Sequence, residues 1–234
     1  MALTPQHTMA RKAHTAGICV VPAREDGSKA PLGLWLNYQK ERPSPEQIDA
    51  WYESGRRGIG IICGRVSGNL TMLEFENDDI WQLYRDNADS TGLGELLGRV
   101  TSGWLERTPG GGVHCYYRCD DQRGNKKLAR RDNGDGTYSV LIETRGEGGF
   151  SVIAPSGGST HPTGNEYVAI SGGPASTATI TAAEQHDLWQ LARVFDESEA
   201  QPAVEPTPVG YLRPGDDFNR RADWRSILEP HGWR

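Results

Sequence analysis

Apolar residues in the first ninety positions arrive in short bursts separated by turn residues. The run Ala16–Pro22 (AGICVVP) is closed by Pro22 and predicts a buried strand. The loop after it, PAREDGSKAPLG, carries Lys29 just before Ala30 and Pro31. Ser44 followed by Pro45 and Gln47 marks a helix start: a capping hydroxyl, proline at the first helical position, and an amide that reaches back. Ile48, Trp51 and Tyr52 form the buried stripe of that helix, and Gly55 ends it. Gly58–Cys63 (GIGIIC) and Leu70–Glu76 (LTMLEFE) then predict two strands around the turn GRVSGN. Helical spacing returns over Asp78–Ala88, with Ile80, Trp81 and Tyr84 inward.

The middle of the chain reads as strands. Trp104–Arg107 leads into the turn TPGGG, and Val113–Cys119 (VHCYYRC) alternates and is rich in aromatics. The basic stretch after it reads as a loop. Asn133-Gly134-Asp135-Gly136 is a hairpin signal leading into Thr137–Thr144, and Gly149–Ala154 is a further strand. A last helix opens at Thr181 with Glu184 completing a capping box, its stripe being Leu188, Leu191, Val194 and Phe195. The alternation of short strands with a few helices predicts an α+β domain over residues 1–198, with a mixed or antiparallel sheet flanked by helices. Beyond it lie a linker rich in proline and acidic residues (199–217) and a short helical tail (218–234) that stops abruptly at His231-Gly232-Trp233-Arg234, as if cut from a longer protein.

Composition sharpens this outline. The 234 residues include 29 glycines and 14 prolines, roughly half again the average usage of about 12%, which argues against a helical bundle. The net charge of −6 excludes binding of nucleic acid by bulk positive charge, though not by a local strip. Mean hydropathy is −0.62, and no apolar run approaches the ~20 residues of a membrane span. The first 17 residues lack an apolar segment of signal-peptide length. With four cysteines and no CxxC pair, reduced thiols in a cytoplasm are expected.

Three motifs carry candidate chemistry. In Leu73-Glu74-Phe75-Glu76 the two carboxylates share one face of a strand. The pair is either the solvated face of an edge strand or a site whose mutual repulsion a divalent cation relieves. In Thr108-Pro109-Gly110-Gly111-Gly112-Val113-His114, a glycine turn lets an anion approach the backbone, and His114 opens the following strand. In Glu143-Thr144-Arg145-Gly146-Glu147-Gly148-Gly149, a carboxylate and a guanidinium suited to phosphate stand at a strand end. Together they predict a two-metal phosphoryl-transfer site: Glu74, Glu76 and Glu143 on the ions, His114 and Arg145 on a triphosphate.

The order LTMLEFE, TPGGGVHCYY, VLIETRGEGGFSVIAPSG resembles the prim-pol domain of the archaeo-eukaryotic primase superfamily over roughly residues 14–195. The resemblance implies an RRM-like catalytic core and a DNA primase/polymerase joining nucleoside triphosphates on a single-stranded DNA template and primer. It also implies Mg²⁺ or Mn²⁺ as cofactor, with catalytic and metal-holding roles for Glu74, Glu76 and Glu143. Nucleotide contacts fall to His114, Arg145, Gly111, Gly112 and Lys29. Such domains serve phage and plasmid replication in a bacterial host cytoplasm, with no membrane partner, and the tail PGDDFNRRADWRSILEPHGW is similar to the lead-in to a fused C-terminal helicase. One departure stands out. The family usually has Asp at the first and third acidic positions, where this chain has Glu, and each added methylene moves a carboxylate by roughly an ångström or more.

The stretch 118–131 holds six basic residues against two acidic ones: Arg118, Arg123, Lys126, Lys127, Arg130 and Arg131 against Asp120 and Asp121. It is either a template phosphate track or an ordinary solvated loop. A calcium loop starting at Asp132 fails, because its third and fifth positions are glycine. Zinc at Cys115 and Cys119 fails as well, since four residues of strand separate them by ~13 Å. Two rival functions use the same residues: a metal-dependent nuclease, and a non-catalytic nucleotide- or DNA-binding module.

Overall fold

The computed structural model describes residues 3–198, so the expected linker and tail lie outside the described residues. The helices are α1 (Pro5–Thr15), α2 (Pro45–Tyr52), α3 (Asp78–Ser90), α4 (Gly94–Gly103) and α5 (Ala182–Arg193). The strands are β1 (Cys19–Pro22), β2 (Ile59–Ile62), β3 (Leu70–Phe75), β4 (Trp104–Arg107), β5 (Val113–Arg118), β6 (Lys126–Asp132), β7 (Tyr138–Arg145), β8 (Phe150–Val152), β9 (Val168–Gly172) and β10 (Ala178–Thr179). They build two sheets. The larger runs β6-β7-β3-β5-β4-β9, every neighbour antiparallel, and β10 adds to β5 in parallel. The smaller is the antiparallel set β1-β2-β8. The chain is an α+β protein.

The period of two divides the large sheet into two faces. Leu73 and Phe75 of β3, with Val113, Cys115 and Tyr117 of β5, turn toward α3, α4 and α5 and form one core with Trp81, Tyr84, Leu188 and Trp189. Phe75 lies 4.7 Å from Tyr84 and 4.9 Å from Trp81, ring to ring. The polar ends of these aromatics are satisfied: Tyr84 donates to the Leu188 carbonyl (2.9 Å) and Trp189 to the Tyr117 hydroxyl (2.8 Å). Met72, Trp104 and Tyr116 turn the other way and pack on Val20, Ile59, Ile61 and Ile153 of the small-sheet side, with Ala10, Ala13, Ile48 and Tyr52 from α1 and α2. Trp104 stacks on Tyr116 at 4.0 Å.

The chain passes between the sheets three times, twice at neighbouring places. One is the turn 64–69 from β2 to β3, the other the turn 146–149 from β7 to β8. They are sewn together: the Cys63 N–H donates to the Gly149 carbonyl (2.7 Å), the Gly148 N–H donates to the Cys63 carbonyl (3.2 Å), and the Glu147 carboxylate accepts from the Arg65 N–H (3.1 Å). Glycine is required at Gly146, because a Cβ there would overlap the Arg123 carbonyl.

Several elements differ from expectation. α1 has a buried face of Gln6, His7, Ala10 and Ala13, which carries no hydrophobic stripe; it is anchored instead by His7 (2.8 Å) and Arg11 (2.6 and 2.5 Å) on Asp49. α4 was hidden by Gly94, Gly98 and Gly103. The basic stretch is a strand over Lys126–Asp132, where Leu128 and Ala129 are buried and bulges absorb the broken alternation. α5 ends at Arg193, so Val194 is the C-cap and 72% exposed rather than part of the stripe. All four cysteines are free and buried.

Two glycine substitutions should part company. Gly146→Ala is expected to cost about 1–3 kcal/mol, since a backbone carbonyl blocks the methyl. Gly98→Ala, at an exposed position of α4 with nothing within 4 Å, is expected to stabilise by about 0.5–1 kcal/mol. Urea unfolding of the two variants checks both signs.

Candidate active site

On the face of the large sheet turned toward the small one, register places five titratable residues in one rank. Glu74 pairs with His114 on one side and Glu143 on the other; His114 pairs onward with Glu106, and Glu143 with Lys127. Directly paired residues of an antiparallel ladder share a face, so Lys127, Glu143, Glu74, His114 and Glu106 stand abreast across β6, β7, β3, β5 and β4. A cavity of about 110 Å³ opens at this rank, lined among others by Lys29, Glu74, Glu76, Gly110, His114, Arg145, His161 and Tyr167. Residues from five separate parts of the sequence thus meet there, and Glu143 flanks Glu74 immediately beside it.

The acids are held by opposite charge within the protein. His114 Nε2 is 3.4 Å from Glu74, Arg145 is 3.9 Å from Glu74, and Arg145 donates to Glu143. Burial works against ionised Glu74, yet contact with His114, backed by Arg145 and Lys29, holds it below the usual carboxylate range. Burial raises Glu143, and neighbouring Glu74 raises it further against the pull of Arg145. Glu76 is raised by burial and then by Glu74. The outcome is an ionised Glu74 beside a Glu143 that keeps its proton more readily.

A family model described as "Prim-Pol: Bifunctional DNA primase/polymerase, N-terminal" matches residues 10–187. The chain belongs to the Prim-Pol family. At the level of that family the activity is DNA primase/polymerase, a nucleotidyl transfer with DNA and nucleotide substrates. A search of curated proteins gave no match. Among the described residues no helix is long and apolar enough to cross a membrane.

The glycine turn of this Prim-Pol domain works differently from an open phosphate cradle. The Gly111 and Gly112 N–H groups are both used inside the turn, on the carbonyl and hydroxyl oxygens of Thr108 (3.0 and 2.9 Å), and it is Gly110 that lines the cavity. Gly111 has φ +91, and a Cβ on Gly112 would stand 2.5 Å from the Phe75 carbonyl, so the turn is bare because it lies against the acidic end of β3. The six basic residues also separate. The Arg118 guanidinium donates to the carbonyls of Ser67, Gly68 and Ala16 (2.5, 2.7 and 3.1 Å), a strut between loops rather than a free phosphate contact. Arg123 is paired with Asp121, Arg131 with Glu197, and Arg130 lies over Tyr138. Lys126 and Lys127 are exposed and make no ion pair among the described residues.

No three His, Cys, Asp or Glu side chains among the described residues form a ready-made metal-holding group. The donor chemistry nonetheless fits a hard divalent cation: carboxylate oxygens, with two adjoining carboxylates whose repulsion is met by Arg145 and by the raised pKa of Glu143.

Glu106 carries no signal in the sequence. It is 1% exposed, accepts from Trp104 Nε1 (2.8 Å) and the Ala154 N–H (3.0 Å), and so fastens the chain just past β8 to the large sheet. Behind the cavity, His114 Nδ1 meets the Tyr116 hydroxyl (3.2 Å), which meets Ser151 Oγ (3.0 Å). Burial pushes Glu106 up to about 7 from its ordinary 4.5, against its two donors. A carboxyl raised on folding contributes stability that is present below pH about 4.5 and lost as the pH rises through about 7. Between pH 5 and 8 the Tm of the wild type should therefore fall by several degrees relative to Glu106→Gln. Parallel Tm curves would contradict this.

Proposed function

We propose that this domain primes and extends DNA by template-directed nucleotidyl transfer, in phage or plasmid replication. A 3′-hydroxyl attacks the α-phosphorus of a nucleoside triphosphate; the new oxygen–phosphorus bond forms as the bond to the bridging oxygen of pyrophosphate breaks. The observation that carries this reading is the rank Glu143, Glu74, His114 beside a cavity that also receives Arg145 and Lys29.

Glu74, Glu76 and Glu143 are the residues that would hold Mg²⁺ or Mn²⁺, which when bound neutralises the triphosphate and the charge growing on its leaving group. His114 is buried, with its ring fixed between Glu74 and the Tyr116 hydroxyl, and its role is to orient the triphosphate. Arg145 offers a planar pair of donors to phosphate oxygens once Glu143 turns to a cation. Lys29 adds an ammonium from the loop after β1. Lys127, at the far end of the rank, continues the site onto β6, while Lys126, paired with Thr144, stands on the opposite face of the strand; with Arg123, Arg130 and Arg131 they make a basic edge, a path for template or primer phosphates whose grip weakens with salt.

Primer extension and de novo priming on single-stranded DNA, with Mg²⁺ and with Mn²⁺, test the reading. Glu74→Ala is expected to cut extension at least about a hundredfold, the upper end of what loss of a metal's supporting partners costs. Equal extension by the variant, or a labelled strand that shortens, overturns it, the latter in favour of a nuclease. His114→Ala is expected to weaken triphosphate binding about tenfold while single-stranded DNA affinity holds. Equal losses in both titrations would place His114 on the template instead.

A further inference from the structure

The cavity has residues that neither the acid rank nor the basic strand accounts for. Two loops close it beyond the strands, and they are laced together. The Gly27 N–H donates to the Ser159 carbonyl (2.5 Å) and a Cβ on Gly27 would lie 3.6 Å from Pro162, while the Glu25 carboxylate ties the first loop to the start of β2 by accepting from the N–H groups of Arg57 and Gly58 (2.8 and 3.3 Å). Each loop contributes one side chain with protons to donate: Lys29 from the first, His161 from the second.

Both are prepared for an anion. Lys29 is one of two non-glycine residues with positive φ among those described, at +55, a conformation penalised for any residue with a Cβ. It makes no ion pair among the described residues. The His161 ring is fixed as a tautomer: its Nδ1 accepts from the Thr163 N–H (3.2 Å) and lies 2.9 Å from the Thr163 hydroxyl. A ring nitrogen that accepts a backbone N–H is unprotonated, so in the neutral imidazole the proton sits on Nε2. Burial, with Lys29 adding to it, keeps His161 below its ordinary value, which favours that neutral ring. Nε2 has no acceptor among the described residues and stands 3.8 Å from where a Cβ on Gly110 would be, at the cavity lining.

We propose that His161 Nε2–H and the Lys29 ammonium form a polyphosphate station for the outer two phosphates of the bound triphosphate, the part that departs as pyrophosphate. The inference rests on the reading of this cavity as the triphosphate site and assigns its far end. The charged and imidazole groups there that are not read as cation holders all donate: Lys29, the His161 N–H and, further along, Arg145, while Glu74 and Glu76 of the same cavity are the cation side of the site. Such a set selects an acceptor-only, multiply charged group over a nucleobase, which needs donors and acceptors together.

The test uses the full 234-residue chain and inorganic pyrophosphate as the probe, titrated calorimetrically with Mg²⁺ and, separately, as an inhibitor of extension. His161→Ala is expected to weaken pyrophosphate and to raise the triphosphate KM by about tenfold, with single-stranded DNA affinity held. His161→Gln, whose amide nitrogen falls near the lost Nε2, is expected to recover most of that loss. Lys29→Gly removes the charge and relieves the backbone at φ +55, so it should weaken pyrophosphate several-fold without lowering Tm. Pyrophosphate bound equally by wild type and His161→Ala overturns the inference and leaves the primase/polymerase reading standing. A folded wild type that binds neither triphosphate nor pyrophosphate overturns both.

Discussion

Glu74 and Glu143 stand side by side on neighbouring strands at the rim of a buried cleft, and the rest of the site is arranged around the cost of holding them there. Two carboxylates so placed repel in a medium that screens poorly. The protein answers with His114 on the strand to one side and Arg145 two residues further along β7. Neither partner has freedom to leave, because each is placed by the same period of two that places the acids. The arrangement is electrically satisfied yet leaves the two carboxylates able to accept more positive charge.

That arrangement survives only if the two sheets keep their spacing. Of the three crossings from one to the other, those at 64–69 and 146–149 are tied to each other by backbone hydrogen bonds around Cys63 and Gly149. On the opposite side of the cleft, Glu106 joins Trp104 of the large sheet to Ala154 beyond β8. Motif glycines that read as phosphate-binding elements therefore serve close packing first: Gly112 against the end of β3, Gly146 against the Arg123 carbonyl. Their sequence signature is genuine, but the physical reason for it is contact between backbones.

What could be read from the sequence was whatever announces itself locally. The Ser44 and Thr181 caps, the alternation of LTMLEFE and the hairpin at Asn133–Gly136 all express short-range chemistry, and all appear where expected. Glu74, His114 and Arg145 were legible because their motifs combine in a fixed order, and the cavity gathers them. What stayed hidden depends on distant partners. α1 buries glutamine, histidine and alanines against elements far along the chain, so it has no stripe to detect. Glu106 looks like any charged residue on a short strand, and only the sheet above it makes it buried. Arg118 carried the same charge as Lys126 and Lys127, and only the carbonyls of three loop residues separate their roles. His161 matters through a tautomer fixed by Thr163 and through a loop closed by Gly27, neither of which composition can reveal.

The five-strand rank also governs how the chain can change in length. One residue inserted into β3 or β5 would rotate every later side chain of that strand by half a turn, sending the acid or the imidazole into the aromatic layer around Phe75 and Tyr84. The tip at Asn133–Gly136 is free of that rule: it is exposed, held by its own Asp132, Asp135 and Thr137 contacts, and lies at the end of β6 and β7 away from Lys127 and Glu143. Lengthening is thereby channelled to this outer hairpin, where an inserted peptide or a grafted fluorophore would ride on the protein without disturbing its working register.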